Sequence, residues 1–202
     1  MDRLSTAIAA IDAANDADPN RILVDGREVA AEVAYGQRMS EMLLRLHPEA
    51  PELLRLAVRA QHIRRWEVPR DSYPMDRPGY LRWRKDLGRK HAEWTADLMR
   101  PAGYDEAEIA RTAALVRKDN FRRDAEAQAV EDTAALVFLA HYAEDFAARH
   151  EPEKVVSILV KTLAKMSDHA KDAAGTLALP PAVQGALEAA MAEAAAPKAA
   201  TQ

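Results

Sequence analysis

The sequence predicts an all-α protein, and three observations carry the prediction. Apolar residues recur at spacings of three and four along most of the chain rather than in strict alternation. Prolines and short polar clusters cut that pattern into segments of helical length. One segment, DEAEIARTAALVRKDN, opens on acids and closes on bases, as the helix dipole favours. No stretch has the strict apolar–polar alternation of a convincing strand, and no repeat of about 20–50 residues is present.

The elements follow in order. A first helix spans about Asp2 to Asn15, with Leu4, Ile8 and Ile11 on one face. DADPNRILVDGREV is expected to be a connector, with Pro19 and Asp25-Gly26 as turn signals. A second helix, near Ala30 to Leu46, carries Val33, Met39, Leu43 and Leu46. Pro51 opens a third, PELLRLAVRAQHIRRW, at the favoured first-turn position. EVPRDSYPMDRP holds three prolines and reads as a loop. A fourth helix covers about Gly79 to Arg100, and the fifth is DEAEIARTAALVRKDN. A long sixth runs from Asp124 to about His150, and a seventh starts near Pro152 and includes EKVVSILVKTLAKMSDHAK. Beyond Gly175 lies a short Ala-rich helix with a frayed tail.

At 202 residues, 49% apolar and 30% charged, the composition is that of an ordinary single globular domain. No apolar run approaches the roughly 18 residues of a membrane span. MDRLSTAIAAIDAAND has the wrong charge order for a signal peptide, with Asp12 interrupting its apolar part. The absence of cysteine excludes disulfides, thiolate catalysis and cysteine zinc sites. A cytoplasmic protein without a membrane partner is expected.

Charge is unevenly placed. From Glu52 to Lys90 there are 11 Arg or Lys against 5 Asp or Glu, in a chain of net charge −4. A net acidic chain is a poor general nucleic-acid coat, whereas a local basic patch suits one small anion or an acidic partner. The centre of that patch is RAQHIRRWEVPRDSYPMDRPGYLRWR, Arg59 to Arg84, where arginines interleave with Trp66, Tyr73, Tyr80 and Trp83.

Three polar residues fall on apolar faces. His62 follows Leu54 and Val58 at helical spacing, with Gln61 beside it. His91 lies in the stripe Trp83, Leu87, Trp94 and Leu98, and Asp132 is in line with Gln128, Leu136 and Leu139, with Glu131 one position round. A buried His or Asp is costly unless paired or metal-bound. Two imidazoles and a carboxylate suit zinc, iron or manganese with a position left for water or substrate. The other reading makes His62 and His91 satisfied core histidines, with Asp132 accepting their protons. Arg64, Arg65 and Arg70 leave the same helix end and suit bidentate binding of phosphate or carboxylate, with Lys118 adding charge. Alternatively they are a salt-bridged loop or a protein-docking surface. KMS at Lys165–Ser167 matches three residues of a synthetase loop without its partner motif, and is discounted.

YGQRM at Tyr35–Met39, the Arg59–Arg84 stretch, His91, AQAVEDTAALVFL and KTLAKMSDHA together resemble domain of unknown function 4202, over nearly the entire chain. A looser resemblance is to the HD superfamily of metal-dependent phosphohydrolases, an all-α fold. Under that resemblance Gln61-His62 stands where a His-Asp pair lies, His91 is like a further His and Asp132 like the late Asp. Ile63 follows His62 in place of Asp, and the second helix offers Tyr35, Gln37 and Arg38 but no His. The resemblance implies one HD-like domain of about seven or eight helices over residues 1–176, with a C-terminal helix and tail over 177–202. It further implies a phosphohydrolase acting on a phosphorylated small molecule such as a nucleotide. A divalent metal would sit on His62, His91 and Asp132, Glu131 and Gln61 would be the catalytic candidates, and Arg64, Arg65, Arg70 and Lys118 would bind substrate. The alternative is a non-catalytic anion-sensing or partner-docking protein on the same fold.

Overall fold

The computed structural model describes residues 2–195, so the end of the expected tail, 196–202, lies outside the described residues. The architecture is all-α, with one small hairpin. The chain divides into two compact units after Val130.

In the first unit, α1 (Arg3–Asp16) is capped by Asp2, whose side chain accepts from the Ser5 amide. The expected connector is instead an antiparallel hairpin, β1 (Arg21–Val24) with β2 (Arg27–Ala30), Arg21 facing Ala30 and Val24 facing Arg27. Asp25 and Gly26 both take positive φ, 49° and 76°, the mirror-image turn that Asp-Gly favours. Four-residue strands are too short for alternation to announce them, which is why only the turn was legible.

α2 (Ala31–Leu46), α3 (Glu52–Arg59), α4 (Arg77–Met99) and α5 (Glu106–Arg117) complete this unit with the start of α6 (Ala125–His141). Its fully buried side chains include Ile11, Met39, Leu43, Leu56, Ile63, Met99 and Leu115. Asp12 clamps the buried Arg59 through two hydrogen bonds, at 2.7 and 2.6 Å. α2 approaches α3 so closely at Gly36 that an added Cβ would lie 3.1 Å from the Arg59 carbonyl oxygen.

α4 starts two residues before the expected Gly79. Asp76 caps it by accepting from the Gly79 amide at 2.7 Å, and Pro78 occupies a first-turn position. The loop before it is fastened from both sides. Trp83 donates its indole N–H to the Val68 carbonyl at 2.9 Å and packs with Val68 and Leu87. Arg70 donates to the carbonyls of Tyr73 and Pro74 at 3.1 and 2.8 Å.

In the second unit two expected long helices each break. The sixth ends at His141 and α7 (Ala143–Ala147) follows; the seventh becomes α8 (Pro152–Leu163) and α9 (Asp168–Gly175). Ser167 separates the latter pair by capping α9, its oxygen accepting from the Ala170 amide. α10 (Pro181–Ala195) buries Val183, Leu187 and Ala190. Leu136, Leu139, Leu159 and Leu163 lie in this unit's interior. No described helix is long and apolar enough to cross a membrane.

Candidate functional site

The site is built where α3 stops. The expected helix through Trp66 ends at Arg59, so His62 is not on a helical face. The Gln61 side chain is the reason. Its Nε2 donates to the Ala57 carbonyl at 3.3 Å, the acceptor that continued helix would reserve for the Gln61 amide, and to the Val116 carbonyl at 3.2 Å. Arg64 then turns the chain in the left-handed region at φ 52°, with its amide held by Asn15 Oδ1 at 2.9 Å. Gln61 thus ties together the C-terminal ends of α3 and α5.

His62, in that turn, is enclosed by α2 and the arginine segment. Tyr35 stacks on its ring, centroids 3.6 Å apart and planes 7° from parallel. Arg65 Nη1 lies 3.1 Å from His62 Nε2, and Glu32 Oε2 lies 3.1 Å from His62 Nδ1. A guanidinium only donates, so Nε2 accepts from Arg65; Nδ1 then carries the proton and donates to Glu32. Both nitrogens of His62 are engaged. Burial holds its pKa well below the ordinary value, and the positive charges of Arg65 and Lys118 act in the same direction. Burial pushes Glu32 up to about 7, opposed by Arg65 and reinforced by Asp18. The site therefore pairs a neutral imidazole with a carboxyl group poised near neutrality.

His91 comes from α4, its ring centroid 6.3 Å from that of His62. It is 4% exposed. Nδ1 donates to the Ile63 carbonyl at 2.6 Å, which leaves Nε2 as a lone-pair acceptor. That nitrogen is buried without a hydrogen-bond partner. Burial lowers the His91 pKa to about 3, with His62 adding to the effect and the Ile63 bond opposing it.

The other predicted residues are placed as follows. Arg64 pairs with Glu67 through two bonds, at 2.6 and 2.9 Å, and lies over Trp94. Arg70 is spent on loop carbonyls. Of the three arginines, Arg65 is the one that reaches His62, and its guanidinium also sits over Trp83, 5.0 Å from the ring centroid. Lys118 ends α5 in the left-handed region at φ 58°, a position that usually selects glycine. In the second unit, the two oxygens of Asp132 accept from the Ser167 amide and hydroxyl at 2.9 and 2.6 Å, and Glu131 pairs with Lys165 at 3.4 Å.

Two residues of the cluster were not proposed as site residues from sequence, Glu32 and Tyr35. Glu32 reads as an ordinary first-turn acid, and no spacing rule joins α2 to the turn after α3. Tyr35, in the YGQRM motif, was the available signal.

A metal fits this donor set poorly. His62 has no free nitrogen, and among the described residues no three His, Asp or Glu side chains gather as a metal-holding group. His91 Nε2 is a buried ring nitrogen with no hydrogen-bond partner among the described residues.

Neither the curated proteins nor the solved structures contain a match to this chain. The family model described as a domain of unknown function (DUF4202) matches residues 5–187, most of the chain, and the protein belongs to that family.

Proposed function

We propose that the chain binds a phosphorylated small molecule at the group formed by His62, Arg65, Glu32 and His91, acting as an anion-binding protein on an HD-like helical fold. The state of Arg65 carries this reading. Its guanidinium donates to an uncharged imidazole, and its nearest carboxylate is Glu32, 4.0 Å away, whose acid form is populated near neutrality. The site is short of negative charge. A phosphoryl group supplies that charge and matches the planar fork of Arg. Lys118 lies close enough to depress the His62 pKa and adds to the same field. His91 Nε2 is an acceptor for a hydroxyl or N–H of the bound molecule.

Thermal denaturation with inorganic phosphate, a nucleoside monophosphate and a sugar phosphate tests this reading. A ligand at a hundred times its Kd stabilises by about 2.7 kcal/mol. The expected result is a ligand-dependent upward shift that Arg65→Ala abolishes. No shift from any of the three, or an undiminished shift in the variant, contradicts it.

A second reading, a metal-dependent phosphohydrolase, is favoured by one observation, the unpartnered His91 Nε2. Elemental analysis of protein purified without an affinity tag, wild type beside His91→Ala, separates the two. Near-stoichiometric metal lost in the variant supports the hydrolase; no metal in either supports binding alone.

A further inference from the structure

We infer that the N-terminal half of α4 is a docking surface for an acidic amphipathic helix of a partner protein, separate from the His62 group. Three large apolar side chains stand out within seven residues: Met75, Tyr80 and Leu81, exposed by 75%, 42% and 55%. Single exposed apolar residues are ordinary, but a cluster beside unneutralised charge is a mark of binding surfaces. Arg77, Arg82, Arg84 and Lys85 are all exposed around them, and none forms an ion pair with a described residue. Half of the other arginines of the first unit behave differently: Arg3, Arg21, Arg59, Arg64, Arg89, Arg100, Arg111 and Arg117 each hold a carboxylate.

Spacing selects the partner. Arg77, Leu81 and Lys85 are one turn apart, so an apolar anchor is bracketed along one face by a cation on each side. The complementary surface is a helix whose apolar residue is bracketed by carboxylates at the same spacing. Single-stranded nucleic acid fits less well, because the aromatic groups here offer no free platform. Trp83 is buried, and Tyr80 is flanked by Arg70 and Arg84, each 5.8 Å from its ring centroid. A lipid surface would ask for a broader apolar face than Leu81 and Met75 provide.

The probe is a fluorescent helical peptide with leucines bracketed by glutamates at one-turn spacing, titrated with the full chain by anisotropy. A matched peptide carries lysines for the glutamates. The glutamate peptide is expected to bind and the lysine peptide not. Leu81→Ser should weaken binding about tenfold, a typical effect for losing an interface anchor. The double variant Arg77→Glu, Lys85→Glu should exchange the preference, binding the lysine peptide instead. These positions are exposed and unpaired, so the variants are expected to fold, which circular dichroism checks. Absence of binding, or a preference that does not exchange, overturns the proposal. So does binding to phosphatidylglycerol vesicles or to an oligouridylate in place of the peptide.

Discussion

Replacing His91 by Gln should change how stability responds to acid. The imidazole has an ordinary value of 6.5 and is lowered to about 3 in the fold, chiefly by burial. A depressed histidine contributes stability above its unfolded value that is lost as pH falls toward its folded value, because the unfolded chain takes up the proton first. At pH 7 the loss is negligible. At pH 5 the unfolded imidazole is protonated through about 1.5 pH units, and at about 1.4 kcal/mol per unit this amounts to about 2 kcal/mol. The His91→Gln protein lacks this term. Its stability relative to wild type should therefore rise by about 2 kcal/mol between pH 7 and pH 5, whatever the fixed cost of the substitution. Other titrating groups are common to both proteins and cancel in the difference, His62 included to first order. The assay is urea unfolding with chelator present, followed by tryptophan fluorescence, since Trp66, Trp83 and Trp94 all lie in the first unit. Parallel pH dependences, within about 0.5 kcal/mol, would refute the claim that His91 is buried and neutral.

Glu32→Gln should do the opposite. A carboxyl raised from 4.5 to about 7 contributes stability that is present in acid and lost as pH rises through 7. The variant, in the same unfolding assay, should lose about 2 kcal/mol relative to wild type on going from pH 7 to pH 5. Asp12→Ala strands the buried Arg59 charge and should cost about 3 kcal/mol or more in urea unfolding at pH 7. Gly79→Ala places a Cβ 2.1 Å from the Pro74 carbonyl oxygen, so the first turn of α4 must move. It should cost about 1–3 kcal/mol, with faster proteolysis of the loop around Arg70 as a second readout.

The helices were legible because their apolar spacing, prolines and caps agree locally. Asp105 and Glu108 form a reciprocal capping box at the start of α5, for example, where the sequence places acids in a first turn. Reasoning from a helical face brought His62 and His91 to notice for a partly mistaken reason. His62 lies beyond the end of α3, and it meets His91 because the Ile63 carbonyl accepts from the His91 ring. That end is set by Gln61 and Asn15, two side chains that take up backbone groups from other segments. Such long-range capture leaves no periodic trace. The same holds for the split between Arg65, which reaches the site, and Arg64 and Arg70, which are occupied by Glu67 and by loop carbonyls. Residue type marked all three as anion binders, and only the position of nearby acceptors separates them.

Calorimetric titration reads out directly whether Arg65 and the His62 group bind a phosphorylated molecule. Wild type and Arg65→Ala should be titrated with whichever phosphate compound gives the largest thermal shift. Saturable one-to-one binding to the wild type is expected, with a loss of about 2 kcal/mol or more in the variant, typical of a charge-assisted hydrogen bond. Equal affinity for both proteins would contradict it.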